Sequence, residues 1–338
     1  MHRSDFQRSA TNGLVSIVIP AFRMDDYIGE TLQSIADQSY TNWELIVVED
    51  ASQGKTEAIV KQFEQEHPSH RVIYRRNEKN GGPSHSRNVA FLEASGEFIA
   101  LLDADDRWLP THLAASLEAL QQENADLAYS TVVLIEDKSE LLLGLWGPDH
   151  QELIEFPHGL FTRSFITPSA TVFRRSVLES VGLWTVSLRL CEDLDFWLRC
   201  LAKGKKFTYV GGCHCLYRQN REEAATKNRC AVQESFARVA EQYFGLPGTQ
   251  SSACRNRVSR AFARAAKFHS TTDGKRDPSR DPFKIPELYV KAWKLRPKRL
   301  GYLLWAACWG VANFFRRKPA VPVPRSVSLP MVPLRKAA

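Results

Sequence analysis

The chain has 338 residues, 43% of them hydrophobic and 25% charged, with 18 Gly and 17 Pro. This excludes a collagen-like or low-complexity polymer and suffices for one large domain, or one domain with an extension. The formal charge of +7 is unevenly spread: of 45 Lys/Arg and 38 Asp/Glu, 20 and 4 lie at 254–338, leaving 25 and 34 in an acidic body.

The seven cysteines (191, 200, 213, 215, 230, 254, 308) are odd in number and lack paired CxxC spacing. A disulfide framework and a zinc site are both disfavoured, and a reduced, cytoplasmic setting is expected. Cys213-His214-Cys215 reads as small buried hydrophobes rather than a ligand pair. The first residues carry no charged-then-apolar leader, so secretion is not expected.

In chain order, "LVSIVIP" (14–20) predicts a strand stopped by Pro20, and "YIGETLQSIADQ" (27–38) a helix with Ile28, Leu32 and Ile35 on one face. "WELIVVED" (43–50) is a second strand, "KTEAIVKQFEQEH" (55–67) a second helix and "RVIYRR" (71–76) a third strand. "SHSRNVAFLEAS" (84–95) predicts a helix and "EFIALLD" (97–103) a fourth strand. Strands this apolar, separated by helices, predict a mostly parallel sheet flanked by helices in an α/β fold. Weaker strands are predicted at 127–135 and 170–174, and "CEDLDFWLRC" opens a helix with an acidic first turn. Residues 221–270 read as helices rich in Ala, Arg and Glu, 271–286 as a polar linker, and 319–333 as a proline-punctuated tail.

The chemistry sits where strands end. Asp103, Asp105 and Asp106 follow a strand that should be buried. Like charges this close raise one another's pKa unless a cation neutralises them. Mg²⁺ or Mn²⁺ answers this economically, since such an ion takes one or two carboxylates and completes its shell with substrate phosphates. The competing reading is an Asx turn capping the helix that "DDRWLPTHLAASLEALQ" begins. Glu49-Asp50 ends a neighbouring strand, where an acid can accept from a ribose or base. Gly81-Gly82 before a helix, with Arg87 following, suits a diphosphate. No GxGxxG follows the first strand and no GxxxxGK[ST] occurs, which sets aside dinucleotide dehydrogenases and P-loop NTPases. Glu192 and Asp193 are either favourable charges at a helix start or a general base with its neighbour.

Together, "VSIVIPAF", "SIADQSYTNWELIVVEDAS", "NGGPSHSRNVAFLEASGEFIALLDADDRW", "EDLDFWLR" and "LYRQN" resemble glycosyltransferase family 2, in order and spacing, over roughly 14–220. The resemblance implies the GT-A fold and inverting transfer from a nucleotide-sugar, with a UDP-sugar the expected donor. It implies that Asp50 contacts the base, that Pro20, Ala21 and Phe22 line its pocket, and that Arg87 and Asn88 support the nucleotide. It places Asp103 at the ribose, the metal on Asp105 or Asp106, and the catalytic base at Asp193 with Glu192 beside it and Trp197 packing beneath. The chain departs from the family at "VEDAS", which keeps the second acid, and at Ser86, where Ala is usual. The rival readings are a nucleotidyltransferase and a catalytically silent nucleotide-sugar-binding protein.

The expected organisation is therefore a tail at 1–13, a GT-A domain at 14–220, a helical basic extension at 221–318 and a disordered tail at 319–338. Leu300 to Phe315 is 16 nearly uniformly apolar residues flanked by Lys and Arg, short of the roughly 20 a spanning helix needs. An interfacial helix at an anionic, cytoplasmic-face membrane surface is the first reading, a helix buried against the body the second and a short span the third. A glycan or lipid-linked acceptor suits that location. Nucleic acid is not the expected partner, since the tail carries no recognisable binding signature.

Overall fold

Strands β1 (Thr11–Ala21), β2 (Trp43–Glu49), β3 (Val72–Arg76) and β4 (Gly96–Leu101) are the four apolar runs of the first hundred residues. They belong to a computed structural model that describes residues 10–219, 228–245, 249, 251–270 and 280–316. The predicted tail at 319–338, and residues 1–9 of the one at 1–13, lie outside the described residues. Because side chains alternate along a strand, each of these strands feeds two cores. Val15, Ile17 and Ile19 of β1 enter one cluster and Val18 the other, as do Leu45 and Val47 against Ile46 and Val48 in β2. Burial on both faces is why these strands read as continuous hydrophobic runs.

Strand β1 lies between β2 and β4, parallel to both, with Ala21 opposite Glu49 and Val18 opposite Leu101. Strand β3 adds to β2, also in parallel. Helices α1 (Ile28–Ala36), α2 (Thr56–Glu66) and α3 (Pro83–Glu93) make the crossovers. The face predicted for α1 is the buried one, Ile28, Leu32 and Ile35. Since β1, β2 and β4 end together, Asp50 and Asp103 emerge on one sheet edge, on either side of Pro20-Ala21-Phe22.

The second half adds β5 (Arg107–Trp108), α4 (His112–Gln122), β6 (Leu127–Glu136), β7 (Leu142–Trp146), α5 (His150–Ile154), β8 (Thr171–Arg174), α6 (Ser176–Val181), α7 (Glu192–Ala202) and β9 (Phe207–Gln219). The sheet runs β3-β2-β1-β4-β8-β6-β9-β5, with β7 on β6. Strand β8 pairs antiparallel with both β4 and β6, and β9 runs parallel to β6. Strand β9 was not anticipated. Its Gly211-Gly212 and Cys213-His214 interrupt the apolar alternation, and the pairing with β6 shifts register there, Ser130 facing Val210 and Thr131 facing Cys213. Its far end delivers Tyr217, Arg218 and Gln219 beside Asp106.

Helices α8 (Arg229–Tyr243), α9 (Ser252–Ser270), α10 (Ile285–Leu295) and α11 (Leu300–Arg316) stack in sequence. Phe236, Val258, Phe262 and Leu288 belong to the same hydrophobic cluster as Phe173, Leu194 and Trp197. The helices after position 228 thus share a core with the sheet. In α11, Ala306 is buried while Tyr302 and Trp309 pack on that core. Its other side carries Leu300, Leu303, Leu304, Trp305 and Val311 to solvent, Leu304 at 67% exposure. Among the described residues no helix is long and apolar enough to cross a membrane.

Candidate active site

The carboxyl edge of the sheet opens into a cavity of about 440 Å³ whose walls include Pro20, Phe22, Asp50, Asp103, Asp105 and Arg189. Asp50 follows β2 directly. Its carboxylate accepts from the Asn77 amide at 2.8 Å and from the backbone N–H groups of Gly81 (2.9 Å) and Gly82 (2.7 Å). The glycine loop that looked suited to a diphosphate therefore gives those two N–H groups to Asp50, which fixes the loop against the sheet. Gly82 is required by its backbone, at φ +83°, whereas the Arg189 guanidinium tip that an added Cβ would meet at 2.3 Å can swing aside. Arg23 (φ 56°) and Ala51 (φ 60°) hold left-handed backbone beside Phe22 and Asp50. Strain of this kind concentrates at functional sites.

The three aspartates part ways. Asp106 is 1% exposed, and its two carboxylate oxygens accept from Ser169 Oγ (2.5 Å) and the Arg218 backbone N–H (2.9 Å). Burial, then repulsion from Asp105 and Asp103, pushes its pKa well up. It lies behind the cavity wall, tying the β4 edge to β9, whereas Asp103 and Asp105 line the cavity. Asp103 is paired: Arg87, 2% exposed on α3, donates to its Oδ1 at 2.5 Å. The other guanidinium nitrogen of Arg87 stands 3.5 Å from Glu192, and the group lies 4.6 Å over the Trp184 ring. One buried cation thus links the acidic sheet edge to the start of α7.

Helix α7 begins after Cys191, held at φ 59°, and places Glu192 and Asp193 in its first turn. Both line a second cavity of about 450 Å³, and Arg87, Asp103, Arg189, Glu192 and Tyr217 are common to both cavities. Burial and the neighbouring Glu192 push the Asp193 carboxyl up to about 7, against the opposing pull of Arg87. A carboxyl that titrates near neutrality on a rigid helix, facing a cavity, is the arrangement a general base requires. The third acid of that turn, Asp195, is instead locked by Thr185 (2.7 Å), Arg199 (3.0 Å) and Tyr243 (2.5 Å), joining α7 to α8.

The structure brings Pro20, Phe22, Asp50, Arg87, Asp103, Asp105, Glu192 and Asp193 to these two joined cavities. It sets Ala21, Asn88, Asp106 and Trp197 behind them. Ala21 accepts the Asp50 N–H through its carbonyl, and Asn88 exchanges two hydrogen bonds with the Trp184 backbone. Trp197 is fully buried between Trp184 and Phe196, its indole N–H donating to the Ile166 carbonyl. Sequence reading missed Arg189, Tyr217, Gln219 and the parts that Thr167, Pro168, α8 and α9 contribute to the second cavity, whereas Trp146 and Thr162 to Ser164 of its far wall fall in the turn-rich 145–165 stretch that suits the border of a substrate pocket. The quoted "LYRQN" run held the signal for two of them, polar residues ending a strand. Among the described residues no cluster of three or more His, Cys, Asp or Glu is placed to hold a metal, and all seven cysteines are free thiols, Cys215 buried and Cys213 half-buried in β9.

The family profile described as "Glycosyl transferase family 2" matches residues 16–182. TuaG of Bacillus subtilis, a glycosyltransferase assigned by name to teichuronic acid biosynthesis, is 32% identical over 205 residues, 60% of this chain and 77% of that protein. The chain belongs to glycosyltransferase family 2. It is also similar to WfaP of Escherichia coli, a UDP-Glc:alpha-D-GlcNAc-diphosphoundecaprenol beta-1,3-glucosyltransferase, at 29% identity over 57% of this chain and 72% of WfaP. Among solved structures, S. aureus TarS 1-349 in complex with UDP-GlcNAc superposes with a TM-score of 0.65 at 18% identity, covering 89% of each chain. The mannosyltransferase PcManGT of Pyrobaculum calidifontis, solved with GDP-Man and Mn²⁺, gives 0.52 at 18%, covering 92% of this chain and 76% of that one. Such likeness establishes the GT-A fold, and the family establishes that this enzyme is a glycosyltransferase.

Proposed function

We propose that this glycosyltransferase moves a sugar, with inversion, from a nucleotide-sugar to a glycan or lipid-linked acceptor in cell-surface polysaccharide synthesis. UDP-sugar is the proposed donor, as in the complex of TarS and the name of WfaP. The observation that carries the reading is the placement of Asp193, raised to about 7 and facing the second cavity, across Arg87 from the Asp103–Asp105 edge. The first cavity takes the nucleotide between Pro20, Phe22 and Asp50, and the second takes the acceptor.

Of the two aspartates left open for the metal, Asp105 is the one facing the donor cavity. With Asp103 it offers two carboxylates, a donor set suited to a hard ion that draws its remaining ligands from a diphosphate, not to an all-protein cage. A bound Mg²⁺ or Mn²⁺ supplies Lewis-acid stabilisation of the charge that develops on the departing diphosphate. The residues do the rest. Arg87 holds Asp103 and Glu192 in place, Arg189 stands over Gly82 on the donor side, and Asp193 takes the proton of the attacking acceptor hydroxyl. Attack opposite the leaving group inverts the anomeric centre. One base then suffices, where a retaining glycosidase uses two carboxylates.

The exposed apolar side of α11, beside Lys294, Arg296, Lys298 and Arg299, supports peripheral binding to an anionic membrane surface. The reaction is tested by screening nucleotide-sugars for metal-dependent thermal stabilisation and then analysing products. Release of a nucleoside diphosphate with an inverted linkage supports the reading. Release of pyrophosphate refutes it in favour of nucleotidyl transfer.

A further inference from the structure

Arg264 stands on α9, outside the residues the family profile matches, and lines the second cavity. Its guanidinium is half-buried and donates to the Thr162 carbonyl at 3.3 Å. Burial and the nearby Arg260 both disfavour its charge, and no carboxylate among the described residues lies within ion-pair distance of it. Arg163 in the same wall is the control: it meets Glu152 at 2.9 and 2.7 Å and lies 4.5 Å over Trp146. A partly desolvated cation without a counter-charge is costly unless a ligand supplies one.

A second observation points to the same ligand. Thr167 is 8% exposed, lines this cavity, and its Oγ1 has no hydrogen-bond partner. Ser164 Oγ, in the same wall, is also buried without one. The guanidinium is a donor matched to phosphoryl oxygens, while the two hydroxyl oxygens sit closed to solvent just behind the wall and reach a ligand only by turning about χ1. Leu134, Trp146, Ile166, Val232 and Phe236 give the wall an apolar share beside polar Arg163, Gln219 and Gln233, which suits a sugar ring or hydrocarbon attached to that group. Glu192 and Asp193 line the same cavity and repel an anion, which favours a position against Arg264.

We infer that the second cavity holds a phosphoryl group carried by the acceptor, bound by Arg264 with Thr167 and Ser164. The inference rests on the glycosyl-transfer reading above and specifies its acceptor. Helix α9 then selects the acceptor, while the sheet edge handles the donor.

The test uses the full chain saturated with UDP, titrated calorimetrically with decyl diphosphate, inorganic pyrophosphate or neutral decyl glucoside. Wild type is expected to bind decyl diphosphate about tenfold more tightly than either comparison probe. Arg264→Gln is expected to weaken it by about tenfold or more, and Thr167→Val by less, with UDP affinity unchanged. Arg264→Lys should recover part of the loss, and melting curves of all three variants establish that they fold. Equal affinity in wild type and Arg264→Gln overturns the inference, as does a wild type indifferent to the diphosphate. Equal binding of pyrophosphate and decyl diphosphate overturns the acceptor assignment in favour of free phosphate. Because no turnover is measured, a protein that binds decyl diphosphate but transfers no sugar refutes the reaction and not the subsite.

Discussion

Replacing Asp193 with Asn should make the protein more stable and inactive at once. The carboxyl is pushed from an ordinary value of 3.8 to about 7 in the folded chain, chiefly by burial and by Glu192. Below about pH 4 both folded and unfolded chains carry the proton, and the group contributes no difference. Between about pH 4 and 7 the folded chain keeps a proton that the unfolded chain releases, so stability falls as pH rises, by about 1.4 kcal/mol per pH unit. The ceiling is therefore about 4 kcal/mol lost by pH 8, reduced by whatever Arg87 and relaxation return. The Asp193→Asn side chain keeps an oxygen for the Leu194 N–H, 2.8 Å away in the wild type, and loses the charge. Denaturant unfolding with a chelator present should find the variant more stable by about 1–4 kcal/mol at pH 8 and equal to wild type near pH 4. Transfer should fall by roughly 10²–10⁴ with nucleotide affinity intact. In the wild type, kcat/KM should climb with pH and level off above about 7. A variant less stable at pH 8 would show that the folded chain does not resist ionising Asp193, and near wild-type transfer would remove it as the base.

Three further outcomes follow from the same geometry. Arg87→Met leaves Asp103 and Glu192 facing each other without their shared cation, and should cost about 1–3 kcal/mol in urea unfolding, less than breaking a fully buried pair because both carboxylates border a cavity. Asp105→Asn should abolish the metal-dependent part of nucleotide-sugar stabilisation in a thermal shift assay, whereas Asp106→Asn should retain it, because Asp106 faces Ser169 and Arg218 instead of the cavity. Leu304→Glu with Val311→Glu, both on the exposed side of α11, should eliminate co-sedimentation with anionic vesicles while leaving the melting temperature within a few degrees. Unchanged pelleting would put any membrane contact elsewhere.

The parallel half of the sheet was legible because each strand is buried on both faces, leaving an uninterrupted apolar run that turn residues delimit. The acidic edge was legible for the same reason: charges directly after such runs stand out. Roles within the edge were not. Asp105 and Asp106 are neighbours in sequence, and which one faces the cavity is decided by Ser169 and the Arg218 backbone, 63 and 112 residues away. Asn88 and Trp197 carry family-like spacing, yet one braces the Trp184 backbone and the other fills the core. Strand β9 was hidden by its glycines and by pairings with β5 and β6 that no local pattern encodes.

The acceptor wall was least legible, and the cause is physical. Donor contacts come from strand ends that a parallel sheet gathers on one edge whatever else the chain does. The proposed acceptor cavity is lined by a loop (Thr162 to Pro168), a helix N-terminus (Cys191 to Asp193) and the flanks of α8 and α9, brought together only by a shared core. In the sequence Arg264 is one of several arginines on a basic helix, indistinguishable from Arg255 or Arg260. What sets it apart is tertiary: Arg257 finds Glu155, Arg163 finds Glu152, and Arg264 finds only a carbonyl. A basic stretch that looks like a single electrostatic surface thus contains paired structural cations, one cation turned inward, and the flanks of an apolar helix turned outward. In the proposed reaction the inward cation meets the acceptor, and the outward helix would hold the enzyme where a lipid-linked acceptor is found.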